Sequence, residues 1–117
     1  MKKVTFQLKG EYIDQIMAGS KVAEYRGISE YNTKRLCYLS NKKEPEPDEQ
    51  YVSNENEIWL IKKDLTHVQF FNGYRKDRKE MLCELKSIEL IDNPEGDAPG
   101  ITMFVLSLGR IVETKNF

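Results

Sequence analysis

A short charged stretch near the N-terminus holds the side chains best suited to chemistry. Lys21, Glu24 and Arg26 follow a helix-like segment, where a strand is predicted to begin. Side chains alternate along a strand, so Glu24 and Arg26 share a face, and Lys21 can join them only from a preceding turn. A cation, a carboxylate and a guanidinium at such a junction suit a polar ligand. The alternative, which spacing alone favours, is a salt-bridged surface strand that contributes little stability.

The chemistry that these side chains offer is mainly binding. Arg26 can hold a phosphate or carboxylate in a bidentate fork, and Lys21 adds a point charge. Glu24 can accept a hydrogen bond from a base amino group. Catalysis would require Lys21 to act as a neutral amine, or Glu24 to act as a general base on water. Lys9 ends the first predicted strand near the same junction and is a further candidate for this site.

A basic segment with interleaved aromatic residues is the second candidate surface. Between positions 62 and 79, six Lys or Arg residues stand against two Asp residues. Such a pattern suits single-stranded RNA, because bases stack on rings and phosphates pair with cations. The other interpretation is a hairpin tip whose charges only keep it hydrated. We assign a ligand-binding role to four residues of this segment: Tyr74, Arg75, Lys76 and Arg78.

The composition predicts one ordinary globular domain spanning residues 1–117. Hydrophobic residues make up 39% and charged residues 32%, which excludes a disordered chain. The net charge of −1 excludes a strongly basic nucleic-acid protein but not a local basic patch. No apolar run approaches a membrane span and no signal-like segment opens the sequence, so we expect a cytoplasmic protein without a membrane partner. The sequence does not indicate an oligomeric state.

The sequence predicts no metal and no cofactor. Cys37 and Cys83 lie far apart in mixed-apolar segments, and His67 is the only histidine. These three residues do not form a zinc-ligand spacing. We expect both cysteines to be buried free thiols.

Hydrophobic periodicity predicts five or six short strands, one well-defined helix and a long acidic loop at 44–57. The predicted strands are 4–9, 21–26, the paired 66–74 and 81–91, and 101–108, with Gly109 allowing a bend before 110–113. The predicted helix is 11–18, ended by Gly19; 29–36 is a looser helix candidate capped by Ser29 or Asn32, and 58–61 is a short apolar segment. These elements indicate a mainly β chain of the α+β class, a small barrel with a helix across one end. An open α+β sheet is the alternative.

The order of these elements resembles the ASCH (ASC-1 homology) domain family, which is similar to PUA domains in being a small β-barrel. The resemblance is carried by a strand, the helix opening at 9–12, and a G-x-K-x-x-E-x-R motif formed by Gly19, Lys21, Glu24 and Arg26. Segment 68–74 and the long strand after it are similar to a bacterial and phage branch of that family. The resemblance implies a cleft between barrel and helix, lined by motif side chains, and a role in RNA binding.

The resemblance also implies an alternative activity. Some small bacterial ASCH proteins are amidohydrolases that remove the acyl group of N4-acetylcytidine with a Lys, a Thr and a Glu. Lys21 matches that Lys, Glu24 stands at the Thr position, and the distal Glu has no clear counterpart. We therefore expect a domain that binds RNA or a nucleotide-like ligand. The alternatives are an amidohydrolase with Lys21 and Glu24 as catalytic residues, and a protein-interaction module that uses the acidic loop.

Overall fold

The computed structural model describes residues 1–41, 44–92 and 101–117. These residues form two helices and eight strands, so the chain is mainly β with some α, as predicted. The helices are α1 (Gly10–Met17) and α2 (Glu30–Leu36). The strands are β1 (Lys3–Gln7), β2 (Ala23–Gly27), β3 (Cys37–Leu39), β4 (Tyr51–Asn54), β5 (Glu57–Ile61), β6 (His67–Phe71), β7 (Glu80–Asp92) and β8 (Thr102–Lys115). No helix in this described part is long and apolar enough to cross a bilayer.

The strands form two sheets. The five-stranded sheet has the order β1-β6-β7-β8-β2, and the three-stranded sheet has the order β3-β5-β4. Strand β1 pairs with β6 in parallel, and β6 pairs with β7 antiparallel, which confirms the predicted hairpin. This arrangement is compatible with a small barrel-like α+β fold, and the PUA-like form stays a prediction.

Contacts divide the chain into two compact units, each assembled from separated segments. The first unit contains Met1–Glu24, Asp64–Lys86 and Ser107–Phe117, and the second contains Tyr25–Lys63 and Ser87–Leu106. The long strands β7 and β8 contribute residues to both units. The single-domain organisation stays a prediction.

In the first unit, the strands bury the apolar residues that alternate with polar ones in the sequence. Val4 and Phe6 are buried on β1, and their register partners Val68 and Phe70 are buried on β6. Helix α1 has only eight residues, too few to be stable in isolation, so it depends on burying its apolar face. Gly19 ends the helix turn with a φ of +82°, a conformation that glycine adopts without strain, as predicted.

In the second unit, the looser helix prediction is confirmed with Ser29 as its cap. The Ser29 Oγ accepts a hydrogen bond from the Asn32 backbone N–H at 3.0 Å. The Asn32 side chain donates to the Gly27 carbonyl at 2.9 Å, which fixes the end of β2 against the start of the helix. Leu36 at the end of α2 is fully buried.

The acidic loop prediction is wrong for its second half. Residues 51–54 form β4, which pairs antiparallel with β5. The connecting residues Glu55 and Asn56 have φ values of +53° and +95°, as a tight two-residue hairpin turn requires. Such turns usually contain glycine, and its absence here concealed the hairpin in the sequence. Strands β3, β4 and β5 were not counted among the five or six predicted strands, and the predicted segments 101–108 and 110–113 form one strand, β8. The described residues therefore form eight strands.

Gly109 does not separate two strands, as the predicted segments 101–108 and 110–113 supposed. Strand β8 continues through Gly109 to Lys115. A Cβ atom at Gly109 would lie 3.1 Å from the Glu84 Cβ, so the glycine permits close approach of a neighbouring side chain. The loop predicted for 93–100 lies outside the described residues.

Candidate functional site

The turn after α1 places Lys21 beside the start of β2. The backbone N–H groups of Ser20 and Lys21 both donate to the Gln15 carbonyl, at 3.0 and 3.2 Å. Because β2 begins only at Ala23, Lys21 lies in the turn rather than in the strand. This is the condition under which strand alternation allows Lys21 to approach Glu24.

Lys21 and Glu24 form an ion pair that is nearly excluded from water. The Lys21 Nζ lies 3.5 Å from the Glu24 Oε1, and the two side chains are only 14% and 7% exposed. The same ammonium lies 5.3 Å from the ring centroid of Tyr12 on α1, within cation–π range. The pair therefore offers a charged donor and a charged acceptor side by side.

Tyr12 is the site residue that sequence reasoning missed. The helical periodicity of α1 assigns it to the apolar face together with Ile13. In the structure Ile13 is fully buried, whereas Tyr12 is 38% exposed. No local pattern links Tyr12 to Lys21, because the turn at the end of α1 brings them together. Tyr12 supplies a partly exposed aromatic surface next to the ion pair.

Arg26, the third motif residue, lies in β2 and is half-buried. It is two residues beyond Glu24, so strand alternation puts both on one face of β2. The chain passes from the first unit to the second between Glu24 and Tyr25. A cleft that holds all three motif residues stays a prediction.

Lys9 is the exposed N-cap residue of α1, whereas Lys21 lies in the turn that follows the helix. The residues next to Lys9 contact the β6–β7 hairpin: the Asn72 side chain donates to the Leu8 carbonyl at 3.0 Å. A Cβ at Gly10 would lie 3.6 Å from the Asn72 Oδ1. The start of α1 is therefore close to the base of that hairpin, and a place for Lys9 in the Lys21 site stays a prediction.

The hairpin tip (residues 74–76) presents an exposed ring and two exposed cations. Tyr74 is 82% exposed, and its ring meets Phe71 edge-on with the centroids 6.2 Å apart. Arg75 pairs with Asp77 at 3.5 Å, but both side chains lie almost wholly in solvent. Lys76 is exposed. These three predicted ligand-binding residues are accessible to a partner.

Arg78 differs from the other predicted binding residues because it folds back onto the protein. Its guanidinium lies 4.4 Å from the centroid of the Phe71 ring. One nitrogen donates to the Gly73 carbonyl at 3.3 Å, and another pairs with Glu80 at 3.2 Å. Sequence composition alone does not distinguish such a residue from its exposed neighbours. Arg78 supports the shape of the hairpin tip.

Two cysteines and one histidine are further side chains that could take part in chemistry. Burial raises the pKa of the Cys37 thiol to about 12 and that of the Cys83 thiol to about 11. Both cysteines are buried as predicted, and protonated thiols are poor nucleophiles. The His67 Nδ1 lies 2.7 Å from the Thr66 hydroxyl. Within the described ranges, no group of acidic, cysteine or histidine side chains is arranged to hold a metal ion.

Comparisons of the chain with protein-family models, with curated proteins and with solved structures find no match. The ASCH resemblance therefore stays a prediction that rests on the motif.

Proposed function

We propose that the chain is an ASCH-like domain that binds RNA or a nucleotide-like ligand at the Lys21–Glu24 ion pair. The observation that carries this proposal is the exclusion of both charged side chains from water beside the partly exposed Tyr12 ring. Removing two charges from water is costly, and a buried ion pair contributes little net stability. A few sheltered polar or charged groups beside an aromatic surface are the usual composition of a ligand-binding site.

The residues around this pair match the parts of a nucleotide. Lys21 is suited to a phosphate or carbonyl oxygen, and Glu24 to an amino group on a base. The Tyr12 ring offers a stacking surface, because an aromatic face stacks on any base. Arg26 would add a bidentate phosphate contact where it reaches the same ligand.

The hairpin tip supports a ligand longer than one nucleotide. Tyr74 and its two neighbouring cations are exposed, and Lys9 lies at the adjoining end of α1. An exposed ring next to cations suits a single strand, whose bases are free to stack and whose phosphates stay accessible. This surface would hold the part of an RNA strand beyond the nucleotide at Lys21.

A titration with single-stranded RNA and with nucleotides, at low and moderate salt, tests this function. We expect binding that weakens as salt rises, because bound phosphates release counterions. Lys21→Ala combined with Arg26→Ala should weaken binding about tenfold or more, since charged hydrogen bonds are lost. Lys86→Ala, which removes an exposed lysine from β7, is the matched control and should bind normally. Absence of binding at low salt, or equal affinity of the double variant, would overturn the proposal.

Amidohydrolysis of an acylated nucleobase is a second candidate function. The observation in its favour is that an ammonium and a carboxylate lie 3.5 Å apart in a site sheltered from water. Water would attack the acyl carbonyl carbon while Glu24 accepts its proton and Lys21 stabilises the oxyanion that forms. As the C–N bond breaks, Glu24 would return that proton to the departing base nitrogen, which releases the free amino group and the acyl group as its acid. Incubation with N4-acetylcytidine followed by mass spectrometry tests it, with Lys21→Ala as the control. No turnover between pH values of about 6 and 9 would exclude this activity as proposed.

A further inference from the structure

The three-stranded sheet of the second unit has one face that carries a row of aromatic residues. In the strand register, Tyr38 of β3 and Tyr51 of β4 both lie opposite Leu60 of the central strand β5. Residues directly opposite on antiparallel strands share a face of the sheet. On the opposite face of the sheet Cys37 and Val52 are buried, and Leu39 at the end of β3 is 51% exposed. The row from Tyr38 through Leu60 to Tyr51 therefore lies on the outer face.

Both tyrosines of this row are accessible. Tyr38 is 48% exposed and Tyr51 is 45% exposed, while Leu60 between them is half-buried. Neighbouring strands are about 4.8 Å apart, so the tyrosines on the two outer strands stand about 10 Å from one another. Two large rings thus project side by side from a rigid sheet.

One cation lies beside this face. Lys62 follows β5 directly and is two residues beyond Leu60, so strand alternation puts both on the same face. The Lys62 Nζ lies 4.7 Å from the centroid of the Tyr38 ring. Ser53 and Ile58 complete the face and carry no charge. Of the nearby acidic residues, Glu55 is in the hairpin turn and Glu57 has the opposite alternation. The face combines aromatic rings, apolar surface and one cation.

We propose that this outer sheet face binds single-stranded nucleic acid, with unpaired bases stacked on Tyr38 and Tyr51 and a phosphate paired with Lys62. Two rings that project from a sheet reach only bases that are free of a complementary strand. Stacking on tyrosine tolerates any base, so this surface adds affinity without strong sequence preference. The proposal uses residues of the second unit and does not depend on the Lys21–Glu24 site.

A basic peptide is the competing occupant. The acidic residues that precede β4, Glu44 to Glu49, would attract one. Lys62 on the face itself opposes a cationic ligand and favours phosphate. Single-stranded nucleic acid therefore fits this face better than a basic peptide does.

Anisotropy titration of a short fluorescent single-stranded RNA with the full chain measures the contribution of each ring. Tyr38→Ala and Tyr51→Ala should each weaken binding about fivefold or more, because one base loses its stacking surface. Tyr38→Phe and Tyr51→Phe should bind within about twofold of the wild type, since the rings remain. Tyr31→Ala removes a more exposed ring, 64% exposed on α2, and is the matched control that should leave affinity unchanged.

Ultraviolet crosslinking followed by peptide mass spectrometry locates the bound RNA and separates the two binding proposals. Adducts at Tyr38 or Tyr51 that persist in the Lys21→Ala, Tyr74→Ala double variant would support the sheet face independently of the proposed function. Unchanged affinity of both alanine variants at positions 38 and 51 would overturn the sheet-face proposal and leave the Lys21 site standing. Equal affinity for duplex RNA, or binding of an oligoarginine peptide but not of RNA, would also overturn it.

Discussion

The Lys21–Glu24 ion pair shows how a turn and a strand bring two charged side chains together in this chain. Its ammonium is held by the turn after α1, its carboxylate by β2, and both are largely removed from water. Strand alternation predicted that Lys21 would need a turn to reach Glu24. It did not predict Tyr12, because only the folded turn brings that ring to the ammonium.

Removing one member of the pair should destabilise the protein more than removing both. Lys21→Met removes the ammonium of this pair from beside the buried Glu24 carboxylate, and we expect the free energy of unfolding to fall by about 1–3 kcal/mol. Adding Glu24→Gln should restore part of that loss. Urea denaturation measures both changes.

The exposed Lys34–Glu30 pair is the matched control for this experiment. Its atoms are closer, at 2.8 Å, but its side chains are 58% and 73% exposed. Lys34→Met should leave the urea midpoint unchanged, because solvent screens an exposed pair. Equal effects of Lys21→Met and Lys34→Met would show that burial does not set the energetic role of the Lys21 pair.

Two glycines allow a direct test of the close approach at Gly109. Gly109→Ala should lower the free energy of unfolding by about 1 kcal/mol or more, because the new Cβ meets the Glu84 Cβ at 3.1 Å. Gly27→Ala should be neutral or slightly stabilising, since nothing lies within 4 Å of its Cβ position and the unfolded chain loses freedom. Thermal denaturation compares the two variants, and a stabilising Gly109→Ala would contradict the packing argument.

At the scale of elements, the β4–β5 hairpin is held by a turn whose residues are not ideal for it. Glu55 adopts a φ of +53°, which costs a residue with a Cβ atom more than it costs glycine or asparagine. This mismatch explains why the sequence predicted a loop over residues 51–54, where the structure has strand β4. The hairpin of β6 and β7 was predicted because Asn72 and Gly73 give a recognisable turn signal.

Improving the turn should stabilise the hairpin. Glu55→Asn or Asn56→Gly should each raise the free energy of unfolding by about 0.5–1 kcal/mol, because asparagine and glycine accept positive φ at lower cost. Glu55→Gln makes the same change of charge without that conformational benefit and serves as the control. The prediction fails if Glu55→Gln stabilises the protein as much as Glu55→Asn does in urea denaturation.

At the scale of the molecule, the two buried thiols make the folded protein less stable as the pH rises above 9. A thiol ordinarily has a pKa of 9.0, whereas burial raises the pKa of Cys37 to about 12 and that of Cys83 to about 11. Above pH 9 the unfolded chain has lost protons that the folded chain keeps. The thiols' contribution to stability is therefore complete below pH 9 and is lost as pH rises through the folded values.

Each thiol should lower the free energy of unfolding by up to about 1.4 kcal/mol for each pH unit in that alkaline window. Cys83→Ala removes one of these groups, so its stability should fall less steeply between pH values of about 9 and 11 than that of the wild type. The comparison uses slopes rather than absolute stabilities, because the substitution also leaves a small cavity. Parallel slopes for the two proteins would contradict a protonated, buried Cys83.

Long-range pairing is the part of the fold that the sequence could not supply. The alternation of Val4 and Phe6 predicted a strand with one buried face, but not that β1 would pair in parallel with β6, more than sixty positions away. The same limit applies to the site. The motif placed Lys21 and Glu24 together, whereas the contact of the Lys21 ammonium with the Tyr12 ring depends on the path of α1 and of the turn after it.

The central claim is that Lys21, Glu24 and Tyr12 bind a nucleotide, and nuclear magnetic resonance tests it most directly. Addition of a nucleotide or a short single-stranded RNA to labelled protein should shift the Tyr12 ring signals and the amide signals around Lys21 and Glu24. Those shifts should disappear in Lys21→Ala at the same ligand concentration. Shifts that occur elsewhere but spare these three residues, or no shifts at saturating ligand, would contradict the account.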